Sequence, residues 1–453
     1  MTSTPRLPVR VPLGRAPLSV LQSFKAARMN ILSIIPEQAT EEPIISGRTV
    51  VPWHMVMDPQ GNRDVLLEKL ENYPKSDVTK DIMRPAIGDS LFVAEGKDWR
   101  WQRRASAPAF SPRNIARLTP IMTRAAEAAA ARIATTAIPG RALNLFDEMV
   151  ATTFEVIADV TFSGDNMFDQ KAVHASIDHY IEQAARISIL DVLGFPTWVP
   201  RPGRMMAVPQ MRKMKDQADA AIERRRTVPE AAQPDLLSLL VDAADDKTGR
   251  TMTTSELRDN LMTFIVAGHE TTALTLSWAL YLCAFDPCVQ DAARKQAQDV
   301  LGRRAATAED MTRLPYIRQI VEETLRLYPA GGFLSRTAQA DDTLLGHQIK
   351  AGDTVMLPVY ATHRHKKLWD DPDAFRPDRF ADPKSIDRYA YLPFGDGPRI
   401  CIGASFALQE AVIILATLLA RFKFSAVPGR DPKPVMILTL RPEGGVWLTV
   451  QPV

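Results

Sequence analysis

The chain has 453 residues, 46% of them hydrophobic and 24% charged, with a formal net charge of +2. That balance excludes a strongly basic nucleic-acid binder, and the length leaves ample room to bury a bulky cofactor even though length alone would divide the chain into about three domains. Cys283, Cys288 and Cys401 are sparse and lack metal-like spacing, which argues against a disulfide framework and points to a reducing cytoplasm.

The N-terminal twenty residues are broken by Arg6, Arg10 and Arg15, so they lack the continuous apolar core of a signal peptide. "LSVLQSFKAARMNILSIIP", from Leu18, is amphipathic and is expected to pack on its own protein, with a membrane surface as the alternative. The alanine-rich stretch from Ile121 to Ala134 predicts a helix, as do Phe146, Met149, Val150, Thr153, Phe154, Ile157 and Val160 at helical spacing. Prolines and glycines gather between Gly194 and Pro209, which predicts a long surface loop. Asp235 is a candidate N-cap for "LLSLLVDAA", and a long apolar segment runs from Leu261 to Leu282.

Two strand pairs are expected, one over Leu344–Tyr360 turning near Gly352, the other over Val435–Val450 turning at Pro442–Gly445. The apolar run Ala411–Ala420 falls well short of the roughly 20 residues that cross a bilayer and predicts a buried core helix, so no transmembrane segment is expected. The fold class is mainly α with a small β portion, without a Rossmann or P-loop glycine pattern.

The stretch "FGDGPRICIG", Phe394–Gly403, places Cys401 among three glycines, a proline and an arginine, just before an apolar helix. A cysteine that only fills space needs none of these neighbours. At a helix start its sulfur can receive backbone N–H groups and the positive end of the dipole, which favour the thiolate, an iron ligand. Gly395, Gly397 and Gly403 would let backbone approach a flat cofactor, and Arg399 could pair with a cofactor carboxylate. A structural cysteine beside a glycine turn is the ordinary alternative for a lone residue.

This stretch closely resembles the haem-binding signature of the cytochrome P450 family, with Phe394, Gly397, Arg399, Cys401 and Gly403 at the matching positions. Further stretches extend the resemblance from about Val50 to the C-terminus. Glu323 and Arg326 of "ETLR", with Arg379 of "FRPDRF", resemble the family's buried charge cluster, a structural support for the haem loop. "AGHETT", Ala267–Thr272, resembles the helix over the distal haem face; from periodicity alone it could equally hold a helix-facing hydroxyl and a solvated glutamate. "WRWQRR" places Trp99 and Arg103 where the family holds a haem propionate, and Arg336 matches another propionate-binding position.

The resemblance implies the haem-thiolate fold as a single catalytic domain over 50–453, with residues 1–49 as an extension packed on it. It implies a mono-oxygenase holding haem b (iron-protoporphyrin IX), with Cys401 as the metal ligand. Trp99, Arg103, Ala267, Gly268, Arg336, Phe394, Gly397, Arg399 and Gly403 would bind the cofactor. Glu270 and Thr271 would manage protons and water as the catalytic pair, with Ala267 and Gly268 leaving room for dioxygen and His269 serving for packing. With no flavin or iron–sulfur segment appended, electrons would come from a ferredoxin and its reductase in the cytoplasm. The apolar stretches near Ile82, Leu261, Pro329 and Met436 imply a lipophilic small-molecule substrate to be hydroxylated. A peroxide-driven peroxygenase and a non-catalytic haem sensor are the alternatives, and the intact Glu270-Thr271 pair disfavours both; a cofactor-free helical binding protein would treat the ordered motifs as coincidence.

Overall fold

A computed structural model describes residues 7–15, 19–162, 201–227, 235–245 and 248–453, with a few isolated residues between 175 and 199. A central helix, Thr254–Phe285, organises the body. It begins in a capping box, where the Thr253 side chain accepts from the Glu256 N–H and the Glu256 side chain accepts from the Thr253 N–H, so orphan donors at the helix start are satisfied. Nearly every residue from Leu257 to Ala284 is buried, so the helix is enclosed on almost every side, and polar residues such as Glu270 are buried with it. It packs most extensively against the helix Leu145–Phe162. The C-terminal helix Ala404–Arg421 touches it as well, together with the helices Pro112–Thr136 and Pro287–Leu301. Every residue from Glu410 to Ala420 is buried, which confirms the expected core helix.

The β portion is small and divided. β1 (Ile44–Arg48) and β2 (Pro52–Val56) form a hairpin, while β3 (Ala142–Asn144) lies elsewhere. β4 (Leu334–Thr337), β5 (Asp342–Leu344), β6 (His347–Ile349) and β7 (Thr354–Leu357) follow, then β8 (Phe422–Ala426), β9 (Lys433–Met436), β10 (Leu440–Glu443) and β11 (Trp447–Pro452). The largest sheet has the order β1-β2-β7-β4, with β2 and β7 parallel. Neither expected strand pair forms as drawn. β6 pairs with β5, and β7 pairs with β2 and β4. Likewise β10 pairs with β9, whereas β11 runs between β3 and β8. Alternating apolar residues mark a strand without naming its partner.

The loop expected over Gly194–Pro209 is helical in its second half, because the helix Pro202–Thr227 starts within it. Proline suits a first helical turn, where its missing N–H costs nothing. Most of 194–200 lies outside the described residues. Asp235 caps the helix Leu236–Val241, accepting from the Ser238 N–H. The N-terminal residues are tied to the body: the N–H groups of Val9 and Val11 donate to the Tyr281 and Tyr360 hydroxyls, and Val11, Leu32, Ile35 and Ala39 join the main buried cluster.

Candidate functional site

A cavity of about 1130 Å³ lies between the central helix and the loop before the C-terminal helix, with Cys401 and Thr271 both in its wall. The loop is set by its backbone. The Cys401 N–H donates to the Phe394 carbonyl at 2.9 Å, the Ile400 N–H donates to the Gly397 carbonyl at 3.1 Å, and Gly397–Arg399 forms one 3-10 turn. Gly395 and Gly397 have φ of +66° and +70°, a region costly for residues with a Cβ. A Cβ on Gly397 would stand 2.2 Å from the Leu66 carbonyl oxygen, so this glycine answers to protein packing rather than to the cofactor clearance expected of it. A Cβ on Gly395 or Gly403 meets no protein atom within 4 Å, and both residues line the cavity.

Cys401 is exposed, yet its surface opens on the cavity. Burial pushes the pKa of its thiol up, with the Gly403 N–H and the Arg103 and Lys75 charges acting the other way. Burial therefore outweighs the thiolate preference expected from the helix start, until a metal cation meets the sulfur.

Trp99 and Arg103 come from the helix Gly96–Ser106 and face the same cavity. Arg399 stacks over the Trp99 ring at 4.4 Å, donates to the Ala94 carbonyl at 3.2 Å and pairs with Glu95. Arg336, on β4, is 5% exposed; it gives one bond to the Ser335 carbonyl at 3.0 Å, and its Nε is buried without a hydrogen-bond partner. Burial, then the nearby Arg399 charge, lowers the Arg336 pKa to about 10.

Lys75 completes this group, and sequence reasoning missed it. It sits in an antiparallel bridge opposite Arg336, its Nζ donates to the Phe92 carbonyl at 2.6 Å, and it lies 3.7 Å above the Phe92 ring. Burial, reinforced by the Arg336 and Arg399 charges, holds its pKa well below the usual lysine range. Glu95 also went unread: besides meeting Arg399, it accepts from the Lys75 backbone N–H at 3.1 Å.

Exposed Ala267 and half-buried Thr271 line the cavity from the central helix, and the Thr271 hydroxyl donates to the Ala267 carbonyl at 2.8 Å. Gly268 lines the cavity too, and it also has a packing role: a Cβ there would stand 3.1 Å from Ile157, so its absence lets the helix Leu145–Phe162 close against the central helix. His269 is buried against Phe154, with Nδ1 3.2 Å from the Ile265 carbonyl, as a packing residue would be. Glu270 is 3% exposed and held by Thr439, whose hydroxyl donates to Oε1 at 3.1 Å, and by Arg441.

The wall around Cys401 thus offers a sulfur and the cations Lys75, Arg103, Arg336 and Arg399, with Glu95 as the acid among them. A buried guanidinium nitrogen without a partner calls for an anion. These residues fit a haem: Cys401 for the iron, the cations for its carboxylates, and the open faces of Gly395 and Gly403 beside it.

The family described as cytochrome P450 matches residues 47–449. The chain is 34% identical over 398 residues to "Putative cytochrome P450 132" of Mycobacterium tuberculosis, covering 84% of both chains. It is 33% identical over 379 residues to "Cyclooctatin synthase" of Streptomyces melanosporofaciens, covering 82% of this chain and 81% of that one. To "Cyclooctat-9-en-7-ol 5-monooxygenase" of the same organism it is 34% identical over 354 residues, covering 77% and 75% respectively.

Proposed function

The chain belongs to the cytochrome P450 family and is a haem-thiolate mono-oxygenase, and from that premise we propose that it hydroxylates a lipophilic small molecule with electrons from a ferredoxin and its reductase. The observation that carries this reading is that Cys401 and Thr271 line the same cavity, whose remaining wall is largely apolar, with Ile82, Phe264, Phe333, Ile437 and Leu438 among its members. The cofactor is read as haem b, with residues 50–453 as its single domain. The main buried cluster supports this, since it holds Trp99, Phe264, Phe406 and Leu448 together and takes in Val11 and Leu32 of the preceding segment.

When bound, the haem supplies the activation of dioxygen, and its thiolate ligand favours cleavage of the O–O bond. The chain does the rest. Cys401 holds the iron, while Arg103, Arg336, Arg399 and Lys75 hold the carboxylates and so fix the orientation. The apolar wall excludes water and orients the substrate carbon. Thr271 keeps a hydroxyl in the cavity wall, anchored on the Ala267 carbonyl, and would act on the bound group with Glu270, the acid next to it in the chain. The relatives from Streptomyces, whose names refer to cyclooctatin and cyclooctat-9-en-7-ol, are in keeping with a small-molecule substrate for this chain.

Thr271→Ala tests the reading. With a substrate found by its spin-state shift, the variant should divert electrons to hydrogen peroxide several-fold more than wild type, with substrate affinity little changed. Unchanged coupling would remove Thr271 from the mechanism.

A further inference from the structure

Glu270 and Thr271 are adjacent in sequence, but consecutive helical residues point about 100° apart, and their hydrogen bonds go to different partners. The Thr271 hydroxyl goes to Ala267, and the Glu270 carboxylate goes to Thr439 and Arg441 in the C-terminal hairpin. Thr439 is 9% exposed and lies in the Ile437–Thr439 turn, which forms part of the cavity wall. The turn is held firmly against the central helix: Trp278 Nε1 donates to the Leu440 carbonyl at 3.0 Å, and the Leu440 N–H donates to the Ala330 carbonyl at 3.1 Å.

We propose that Thr439 is the hydroxyl through which Glu270 passes protons into the cavity. This rests on the reading of Glu270 as the acid of a mono-oxygenase and adds a relay residue outside the central helix. The geometry favours a relay over simple packing. A buried carboxylate needs partners, and the Arg441 guanidinium alone would supply charge and hydrogen bonds. Glu270 itself borders the cavity but is only 3% exposed, and of its two partners Thr439 is the one that also lies in the cavity wall. Arg441, with its side chain 19% exposed, stands on the solvent side.

The step balances as a proton shuttle. With Glu270 ionised, the Thr439 O–H donates to Oε1, as observed. Once Glu270 takes a proton from solvent, its own O–H donates to Thr439 Oγ1. The threonine proton then turns into the cavity and is handed to an acceptor there. Thr439 recovers a proton from Glu270, which returns to the carboxylate. No electrons move, and one proton crosses for each cycle of the hydroxyl.

The test uses the holoenzyme with ferredoxin, reductase and a reduced nicotinamide dinucleotide as the electron source, without added substrate, in ordinary and heavy water. Thr439→Val should slow dioxygen consumption several-fold and raise its solvent isotope effect, and Thr439→Ser should restore both. The Glu270 carboxylate infrared band, assigned with Glu270→Gln, should shift in Thr439→Val whether or not turnover is measured. A shifted band with wild-type rate and isotope effect would overturn the relay and leave a structural bond. Wild-type behaviour in Glu270→Gln would instead overturn the reading of Glu270 itself. Should Thr439→Val lose the haem spectrum, Thr439→Ala read by the same measurements decides.

Discussion

Glu323 and Arg326 form a two-pronged ion pair that neither side chain shares with solvent. Arg326 Nε and Nη2 each donate to a Glu323 oxygen at 2.7 Å, and both side chains are 0% exposed. Arg326 also donates to the carbonyls of His363, Pro372 and Ala374, while Glu323 accepts the Arg376 N–H at 2.9 Å and lies 3.4 Å from Arg379. Every pole of the pair is therefore satisfied, which is the condition for burying charge.

Removing one partner should be costly. Glu323→Ala leaves a buried guanidinium facing empty space, and we expect a loss of about 3–5 kcal/mol in urea unfolding. A loss below about 1 kcal/mol, the range of exposed pairs, would contradict the account.

His363 links that pair to the cysteine loop and makes the fold sensitive to acid. Its Nε2 accepts the Leu392 N–H at 2.8 Å, so its Nδ1 carries the proton and donates to the Arg326 carbonyl at 3.1 Å. Burial lowers its pKa from 6.5 to about 3. The unfolded chain binds a proton below pH 6.5 that the native protein refuses until about pH 3, so this residue makes stability fall as pH falls through that window. Glu410 has the opposite sign. Burial raises its pKa from 4.5 to about 8, so its contribution is full below pH 4.5 and is lost as pH rises toward 8. Thermal unfolding across pH should therefore show His363→Gln gaining on wild type on the acid side and Glu410→Gln gaining on the alkaline side. Parallel curves for all three proteins would contradict both assignments.

Arg336 and Lys75 face one another where the cofactor carboxylates are expected, and Arg336 keeps a buried nitrogen without a partner. A charged hydrogen bond contributes about 1.5–3 kcal/mol, so Arg336→Leu should speed haem transfer to an acceptor protein by about 10–100-fold. Lys75→Met should act in the same direction. Wild-type transfer rates in both variants would remove the pair from cofactor binding.

The legible parts of this molecule are those written in contiguous residues. Phe394–Gly403 and Ala267–Thr272 announce themselves because several constrained positions sit within a few residues, and Glu323 and Arg326 because three residues separate them on one helix face. Lys75 could not be read this way: a single lysine in "NYPKSD" carries no pattern, and it acquires its setting from a bridge to Arg336 far along the chain. Thr439 and Arg441 meet Glu270 across 169 and 171 residues, and short-range periodicity holds no record of such a contact. Gly397 is legible as a glycine needed for close approach, but that the Leu66 carbonyl approaches it is something only the fold supplies, as is the packing of Gly268 on Ile157.

The most direct measurement is the absorption spectrum of the purified protein, reduced and exposed to carbon monoxide, for wild type and Cys401→Ser. The account predicts a strongly red-shifted Soret band in the wild type that disappears in the variant, because Cys401 is the one cysteine among the described residues lining the cavity that also holds Thr271. A histidine-like band in the wild type, or a red-shifted band that survives the substitution, would contradict it.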